Sequence, residues 1–361
     1  VVLDRTEIIN RLTDKVVLVT GGGGSIGSEL CRQVTCVGIQ RLIILDQSEY
    51  NLYSIEKELQ QSRPELQMSC ELGDICDEAG LEYLFRYYQP DVVFHAAAYK
   101  HVPMLENKVR EAVRNNIIGS WNVAQLADRY GCSDFVMVST DKAVNPGNIM
   151  GATKRVAEII CQTLDERSTT RFITTRFGNV LGSAGSVVPL FRQQIQNGGP
   201  VTVTDENITR YFMTISEACR LILQTTVMGN GGEIFVLDMG EPVKVLYLAE
   251  QMIRLSGKIP EEDIKIEFTG LRPGEKLHEE LFHTDENLTD TRHEKVMLAI
   301  SRKTDWQTLT KIMDEFSQAV VEFDNEALKE LILRLVPEMT QNISEIENTA
   351  DTPVVAALPG E

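Results

Sequence analysis

The stretch VVLVTGGGGSIG, residues 16–27, decides the fold of this chain. Its first four residues are apolar and mostly β-branched, as in a buried strand, and the glycines follow where a strand turns into a helix. In a dinucleotide-binding turn, one glycine permits the sharp bend, one lets backbone N–H groups approach a pyrophosphate, and one lets the helix close on the strand. The helix N-terminus adds partial positive charge. We therefore predict a dinucleotide site that contains Gly21, Gly24, Ser25, Ile26 and Gly27.

Outward from this stretch, short β-rich runs alternate with segments of helical periodicity. The runs are apolar on both faces, which is typical of a parallel sheet covered by helices on both sides. The chain is therefore predicted to be an α/β protein with a doubly wound parallel sheet. Strands are expected at residues 16–19, 41–45, about 67–71, 92–95, 135–138, 172–175 and, returning to the main sheet, 233–238.

The order of predicted strands, helices and loops divides the chain into three regions. Residues 1–180 and the returning strand at about 233–240 form the dinucleotide-binding domain. Residues 181–232 and 241–300, where Gly/Ser/Pro-rich loops interrupt the pattern, form a smaller α/β lobe. Residues 301–361 form a helical extension, whose polar and then Ala/Pro-rich end is expected to be disordered or to pack on a partner.

The composition argues against several classes of partner and site. The formal net charge is −18, from 35 Lys and Arg against 53 Asp and Glu, which disfavours a nucleic-acid surface. The seven cysteines lack metal-ligand spacing, so we expect buried thiols in a reducing compartment and no metal site. No stretch has the ~18 apolar residues of a membrane helix, and no signal segment precedes the first strand. We therefore expect a cytoplasmic chain, or, because it begins with Val, a piece of a longer protein.

Residues after the second, third and fourth strands extend the predicted dinucleotide site. A glycine cluster alone is also compatible with a flexible turn, but Asp46 ends the second strand. A carboxylate there accepts hydrogen bonds from the ribose 2′-OH and repels a 2′-phosphate, so it favours NAD over NADP. Asp74 is placed to meet the adenine edge, or is a simple turn or N-cap residue. Ala96 and Ala97 leave room for the cofactor at the end of the fourth strand.

Several motifs together resemble a family, the extended short-chain dehydrogenases/reductases. They are the glycine-rich turn, HAAA at 95–98, NIIG at 116–119, STDK at 139–142 and Lys154. A narrower resemblance, to the bacterial nucleotide-sugar 4,6-dehydratases of polysaccharide biosynthesis, covers residues 1–283. It is carried by AAAYKHVP at 96–103, STDKAVNP at 139–146, MGATKR at 150–155, RFGNVLGS at 176–183, ITRYFMT at 208–214 and LRPGEKL at 271–277.

This resemblance implies a UDP-N-acetylglucosamine 4,6-dehydratase that makes a 4-keto-6-deoxy sugar for surface glycans or glycoproteins. The reaction oxidises C4, eliminates water across C5–C6 and returns the hydride to C6, so bound NAD is regenerated. The family's usual Tyr-x-x-x-Lys begins here with Met150, which cannot exchange a proton. Among the dehydratases, this methionine resembles the branch that retains the C5 configuration. Longer relatives carry membrane helices ahead of the catalytic part, which fits a cytoplasmic portion of a membrane-anchored protein.

The loop after the fifth strand carries the predicted acid/base chemistry. We expect Lys142, made less basic by burial and a neighbouring cation, to remove the C5 proton, and Asp141 to protonate the departing O6. Thr140 would orient O4 and Lys154 would bind the nicotinamide ribose, while the Met150 side chain would form an apolar surface beside the sugar. Asn116 is expected to support Lys154. The alternative for Asp141 and Lys142 is a loop ion pair or a cap.

The resemblance also implies contacts with the nucleotide sugar. Arg272 is expected to bind the pyrophosphate through its forked guanidinium, with Arg210 as the second candidate. The remaining predicted contacts are Asn179 with phosphate and sugar, Val201 beside the uracil, and Lys100 and His101 on the sugar. A solvated surface role stays open for each basic residue.

Two other functions remain open from the sequence. A UDP-sugar 4-epimerase shares the oxidation at C4 but needs no elimination pair, and Asp141 with Lys142 argues against it. The second is a non-catalytic sensor of NAD or of a nucleotide sugar, in which Met150 in place of tyrosine would mark the loss of catalytic activity. Relatives commonly pair through the helices that flank the fourth and fifth strands, so a homo-oligomer is expected.

Overall fold

A computed structural model describes residues 3–282, 288–299 and 304–339 of the chain, except the side chain of residue 288. The predicted disorder or partner packing of the tail, at residues 345–361, lies outside the described residues. Within them, no helix is both long and apolar enough to cross a bilayer. All seven cysteines are free thiols, but the expectation that they are buried is wrong for Cys36, which is exposed, and for the half-buried Cys70 and Cys76.

The strands of the described residues are β1 Val16–Thr20, β2 Arg41–Asp46, β3 Met68–Leu72, β4 Val92–His95, β5 Asp134–Val138, β6 Arg171–Arg176, β7 Asn179–Leu181, β8 Val201–Val203, β9 Thr209–Arg210, β10 Phe212–Thr214, β11 Ile234–Leu237, β12 Val243–Lys244, β13 Ile266–Phe268, β14 Leu288–Asp290 and β15 Val296–Ala299. They form one large sheet and three small pairs. The large sheet has nine strands in the order β14-β15-β11-β6-β5-β4-β1-β2-β3. All pairs from β3 to β11 are parallel, while β15 is antiparallel to both of its neighbours.

Helices cover both faces of this sheet, so the predicted doubly wound α/β fold is confirmed. They are α1 Arg5–Leu12, α2 Ser25–Val34, α3 Glu49–Ser62, α4 Glu78–Tyr88, α5 Val102–Glu106, α6 Val109–Ala112, α7 Ser120–Arg129, α8 Ile149–Asp165, α9 Val187–Gln196, α10 Ile215–Met228, α11 Val245–Leu255, α12 Trp306–Glu322 and α13 Asn325–Leu335. A π-helix, Val113–Gly119, joins α6 to α7, and a 3₁₀ turn, Asp141–Ala143, follows β5.

The buried apolar residues form two large clusters and one small cluster. Along β1, Val17 and Val19 belong to one large cluster and Leu18 to the other, because successive side chains of a strand point to opposite faces. The small cluster contains Phe191, Ile195, Val201, Val203, Ile208, Val245, Ala249, Ile253 and Ile264. It falls within the predicted second lobe, whose boundaries remain our proposal.

The C-terminal helices cover α8. The residues of α8 from Ile149 to Leu164 are buried, and α12 and α13 contribute Ile312, Phe316 and Leu331 to the same apolar cluster. In the described residues, α12 and α13 therefore already cover α8. The homo-oligomer expected through the helices beside the fourth and fifth strands remains a prediction.

Candidate active site

Two adjoining cavities lie at the carboxyl edge of the sheet, where the strand order reverses between β1 and β4. Such a switch point is where open α/β sheets bind ligands. The small cavity has a volume of about 220 Å³, and its lining includes Gly21, Gly24, Asp46, Asp74, Ala96 and Ala97. The large cavity has a volume of about 910 Å³, and its lining includes Ser25, Ile26, Gly27, Lys100, His101, Thr140, Lys142, Met150, Lys154 and Asn179.

The turn after β1 requires glycine at two positions. Gly21 has φ +65°, and a Cβ there would lie 2.7 Å from the backbone of Ala97. A Cβ on Gly27 would lie 2.1 Å from the carbonyl oxygen of Gly21. Strand and helix therefore approach more closely than a side chain allows, which leaves the N-terminus of α2 open toward both cavities.

Two carboxylates line the small cavity. Backbone N–H groups of Gly23 and Ser48 donate to the two oxygens of Asp46 at 2.9 and 2.8 Å, so its carboxylate is held in place at the end of β2. Asp74 accepts from the Cys76 N–H at 2.9 Å and from the Arg114 guanidinium at 2.8 Å. Asp74 is thus a turn residue and a cavity-lining residue at once.

Lys154 and Met150 lie one turn apart on α8 at the floor of the large cavity. The α8 N-terminus is capped by Asn148, whose side chain accepts from the Gly151 N–H at 2.7 Å. The ammonium of Lys154 donates to the Val138 carbonyl at 2.6 Å, and burial lowers the pKa of Lys154 to about 8. Met150 is only 3% exposed, so its thioether forms an apolar part of the wall.

Asp141 lies just behind the cavity surface, whereas Thr140 and Lys142 line it. Its Oδ1 accepts from the Thr140 hydroxyl at 2.9 Å and from the Lys142 ammonium at 3.0 Å. Its Oδ2 is buried and has no hydrogen-bond partner among the described residues. A Cβ on Gly178, which does line the cavity, would lie 3.1 Å from that oxygen. The bare backbone of Gly178 therefore leaves Oδ2 close to the cavity.

The sequence-based expectation that Lys142 is less basic than an ordinary lysine is wrong for this arrangement. Burial does lower the pKa of Lys142, but Asp141 and Glu279 raise it by more, and the pKa lies above its usual value. The Glu279 carboxylate is 3.6 Å from the ammonium, which also donates to Asn179 Oδ1 at 3.0 Å. The expected neighbouring cation is Arg210, whose effect is smaller than that of the two carboxylates.

Two buried polar residues hold the walls together without facing the cavities. The Asn116 side chain accepts from the Tyr99 N–H at 2.8 Å and donates to the Tyr99 carbonyl and to Thr153 Oγ1, both at 3.0 Å. Its bond to Thr153 fixes α8 next to Lys154, while the expected support of Lys154 itself remains a prediction. His95 bonds Thr20 and Ser120 through its two ring nitrogens, and burial lowers its pKa to about 3. Across the described residues, no group of side chains has the arrangement of a metal site.

The lining of the large cavity also includes Lys100 and His101, just before α5. Burial lowers the pKa of Lys100, whose ammonium lies 3.4 Å from the Ser183 hydroxyl. The His101 ring lies against Gly185, where a Cβ would be 2.5 Å from the ring. Gly185 has φ +68°, so this loop needs glycine both for its backbone and for the close contact.

Three predicted substrate residues lie outside the lining of both cavities. Arg210 is buried against Glu275 and Glu279, at 3.3 and 3.8 Å. Arg272 has 55% of its side chain exposed and lies 3.8 Å from Glu275. Val201 is fully buried in the small apolar cluster. The structure does not bring these three residues to the cavity, because carboxylates hold Arg210 and solvent surrounds Arg272.

Some residues of the site were not selected by sequence reasoning. Glu279 changes the basicity of Lys142, and Ser183 lies against Lys100. The Gly/Ser-rich loop around Ser183 was a signal of a special backbone, but its contact with Lys100 spans 83 positions. Glu279 carried no local signal at all.

Comparison with known proteins places these motifs in a family. A family model described as polysaccharide biosynthesis protein matches residues 17–301. The probable polysaccharide biosynthesis protein EpsC of Bacillus subtilis is 49% identical over 319 residues, covering 88% of this chain and 53% of EpsC. The capsular polysaccharide biosynthesis protein CapD of Staphylococcus aureus is 53% identical over 296 residues, covering 81% of this chain and 49% of CapD. The chain thus spans about half the length of these two relatives.

Relatives with a stated reaction are similar at lower identity. The UDP-N-acetylglucosamine 4,6-dehydratase (inverting) of Campylobacter jejuni is 33% identical over 279 residues, covering 76% of this chain and 79% of that protein. A UDP-glucose 4-epimerase of Rickettsia bellii is 34% identical over 283 residues, with the same two coverages of 76% and 79%. Among solved structures, Pen from Bacillus thuringiensis has a TM-score of 0.75 at 34% identity, covering 81% of this chain and 92% of Pen. The match over most of the chain and the shared fold show that this chain belongs to the polysaccharide biosynthesis protein family, within the extended short-chain dehydrogenases/reductases.

Proposed function

We propose that the chain binds NAD and dehydrates UDP-N-acetylglucosamine to a 4-keto-6-deoxy sugar with retention at C5. The observation that carries this proposal is the contact of a hydroxyl, a carboxylate and an amine, in which Thr140 and Lys142 line the large cavity and Asp141 lies just behind them. An elimination needs both an acid and a base beside the sugar, whereas an epimerisation needs neither at C5 or O6.

The two cavities together offer groups for NAD, which would span both of them, and the large cavity offers Lys100, His101 and Asn179 for a nucleotide sugar. The close approach at Gly27 leaves the N-terminus of α2 free for a pyrophosphate, and the fixed Asp46 carboxylate suits a ribose diol. Lys154, at the floor of the large cavity, would hold the nicotinamide ribose. Bound NAD would supply the oxidant for C4 and later the reductant for C6.

The arrangement around Asp141 supports a proton relay. When C4 is oxidised, the O4 proton passes to Asp141, directly at the free Oδ2 or through the Thr140 hydroxyl. Neutral Asp141 no longer raises the pKa of Lys142, so burial and Arg210, which lower this pKa, are then opposed by Glu279 alone. Lys142 loses its proton to solvent and can take the C5 proton. The raised pKa of Lys142 in the resting state is therefore compatible with a base that becomes active only after C4 is oxidised.

The later steps complete the proton balance. As the C6–O bond breaks, Asp141 gives its proton to the departing O6, and water leaves. Reduction at C6 is accompanied by return of a proton from Lys142 to C5, and Lys142 then regains a proton from solvent. Because one amine removes and returns the proton from one side of the sugar, the C5 configuration is retained.

The proposal is tested by the product. The purified chain, incubated with NAD and UDP-N-acetylglucosamine, is expected to yield a compound lighter by one water, whose proton NMR couplings report the C5 configuration. An unchanged mass with inverted C4 would show the epimerase. Binding of both ligands with no product would indicate the sensor.

The carboxylate of Asp46 is predicted to set the cofactor preference. Asp46→Ser removes the negative charge that would face a 2′-phosphate but keeps a hydrogen-bonding side chain. We expect the ratio of NADP to NAD affinity to rise at least about tenfold, because a like-charge repulsion is lost. The measurement is calorimetric titration with each cofactor, and Asp77→Ser, at the N-cap of α4 outside both cavity linings, is the control. An unchanged ratio would remove Asp46 from cofactor recognition.

A second prediction concerns Met150, which occupies the position of the family's usual tyrosine. In the Asp141→Asn background, Met150→Tyr places a hydroxyl one helical turn from Lys154 and is expected to recover C4 oxidation by at least about tenfold. Met150→Phe in the same background is the matched control, since it has the ring without the hydroxyl. Single-turnover absorbance of the reduced cofactor measures the recovery. Equal rates for the Tyr and Phe variants would contradict the prediction.

A further inference from the structure

One fully buried carboxylate, that of Glu158, lies directly below the active site. It is one turn after Lys154 on α8 and accepts four hydrogen bonds. The Ser139 hydroxyl donates to Oε1 at 2.6 Å, and the Arg176 guanidinium donates to both oxygens at 2.7 Å. Arg155 donates to Oε2 at 3.1 Å. Glu158 therefore has the complete set of partners that a buried charge requires.

The partners of Glu158 belong to each segment that carries the proposed chemistry. Ser139 immediately precedes Thr140, and Lys154 on the same helix as Glu158 donates to the Val138 carbonyl. Helix α8 is thus tied to the end of β5 at two successive positions.

Arg176 extends the same tie to the neighbouring strand. It is the last residue of β6, and the next residue, Phe177, accepts a backbone hydrogen bond from the Asp141 N–H at 3.0 Å. Two residues further along, Asn179 accepts from the Lys142 ammonium. Segments from β5, β6 and α8 therefore meet at one carboxylate.

A second ion pair reaches the C-terminal segment. The Arg155 guanidinium, which is also buried, lies 3.5 Å from the carboxylate of Glu338, just after α13. The helices that cover α8 are thus linked through Arg155 to the carboxylate that holds Ser139. The C-terminal extension is consequently part of the same packed unit as the catalytic loop.

We propose that Glu158 is the positioning residue of the active site: it holds the loop with Asp141 and Lys142, the end of β6 and Lys154 in one fixed arrangement. This inference rests on the proposed function, in which these residues act on the sugar and the cofactor. A buried ion pair contributes little net stability compared with apolar residues of the same volume, and its best-attested role is to specify one arrangement. The hydrogen bonds of Glu158 specify the distance between the loop and Lys154.

The charge of Glu158 also acts on Lys154. The titratable groups that face Lys154 are Glu158 and Cys161 on α8 and His95 at the end of β4. Burial lowers the pKa of Lys154, while Glu158 and Cys161 raise it. Because Lys154 would bind ribose oxygens as an ammonium, NAD affinity should fall as pH rises through about 8. Loss of the Glu158 charge moves this fall to lower pH.

The test compares Glu158→Gln with Asp134→Asn. Asp134 is also a fully buried carboxylate held by two arginines, Arg11 and Arg171, but it lies at the opposite end of β5. Both variants lose a buried charge, so both are expected to lower the unfolding temperature. Only Glu158→Gln is expected to lower kcat for dehydration, by at least about tenfold, with KM for the sugar within about threefold. It should also shift the pH midpoint of NAD affinity down by about one unit.

The possible outcomes distinguish a positioning role of Glu158 from a general loss of stability, and also from failure of the proposed dehydratase activity. A folded Glu158→Gln chain with unchanged kcat and an unchanged NAD midpoint overturns the inference, as does an equal effect of Asp134→Asn. If Glu158→Gln does not fold, Ser139→Ala tests the inference instead. This variant removes the hydrogen bond from Ser139 to Glu158 and leaves the ion pairs of Glu158 in place, and it should lower kcat about tenfold. An unchanged kcat in that variant rejects the inference. The NAD titration contains no sugar, so a shifted midpoint in a chain that dehydrates nothing would reject the proposed function alone.

Discussion

Replacement of Asp141 by asparagine is expected to lower kcat for dehydration by about 10³-fold and to leave NAD affinity within about twofold. Asparagine keeps the shape and can still bind the Thr140 hydroxyl and the Lys142 amine, but it cannot accept the O4 proton or deliver a proton to O6. Neither the first oxidation nor the elimination can then proceed through this group. Single-turnover absorbance and the mass of the product measure the two losses separately.

The control for this variant is Asp134→Asn, which removes a buried carboxylate from the far end of the same strand. It should change stability without changing the dehydration step. A rate for Asp141→Asn within about threefold of the unchanged chain would show that another group moves the protons.

Replacement of Lys142 by methionine is expected to block the reaction later. Asp141 remains able to accept the O4 proton, so C4 is oxidised and the reduced cofactor accumulates, but no base removes the C5 proton. We expect product formation to fall by about 10³-fold or more, together with loss of C5 hydrogen exchange in deuterated water. In the unchanged chain, dehydration should speed up as pH rises, because the base is the neutral amine and Lys142 must first lose the proton that it holds while ionised Asp141 raises its pKa.

Lys276→Met is the matched control, since the Lys276 ammonium lies 3.4 Å from the Val144 carbonyl of the same loop but outside the cavity lining. Its C5 exchange should stay near that of the unchanged chain. Normal C5 exchange in Lys142→Met would assign the base to a different residue, and Lys100 would be the next candidate because it also lines the large cavity.

The central sheet could be predicted because its signals are local. The runs that became β1, β2, β4, β5 and β6 are apolar on both faces and are bounded by turn residues, so the expected strands differ from the observed ones by at most one residue at either end. The antiparallel β14–β15 pair and the π-helix were not predicted. The short edge strands depend on pairing with β11, which is distant in sequence, and a π-helix has no simple periodic signal.

The site could be predicted only as far as its motifs reach. Most motif residues from Gly21 to Lys154 line the two cavities, because they follow the carboxyl end of a strand or lie in the first turns of a helix. The charged contacts around these residues could not be predicted from the motifs. Glu279 contributes to the raised pKa of Lys142 and Glu158 holds Ser139, and both effects depend on contacts between distant segments. The outward position of Arg272 likewise depends on how its loop packs.

The most direct test of the account follows the hydrogen at C4 of the sugar. The purified chain would be given NAD and UDP-N-acetylglucosamine that carries deuterium at C4, and the product would be analysed by mass and NMR. The account predicts a 4-keto-6-deoxy sugar that has lost one water and carries the deuterium at C6. Deuterium that remains at C4 in a product of unchanged mass would contradict it.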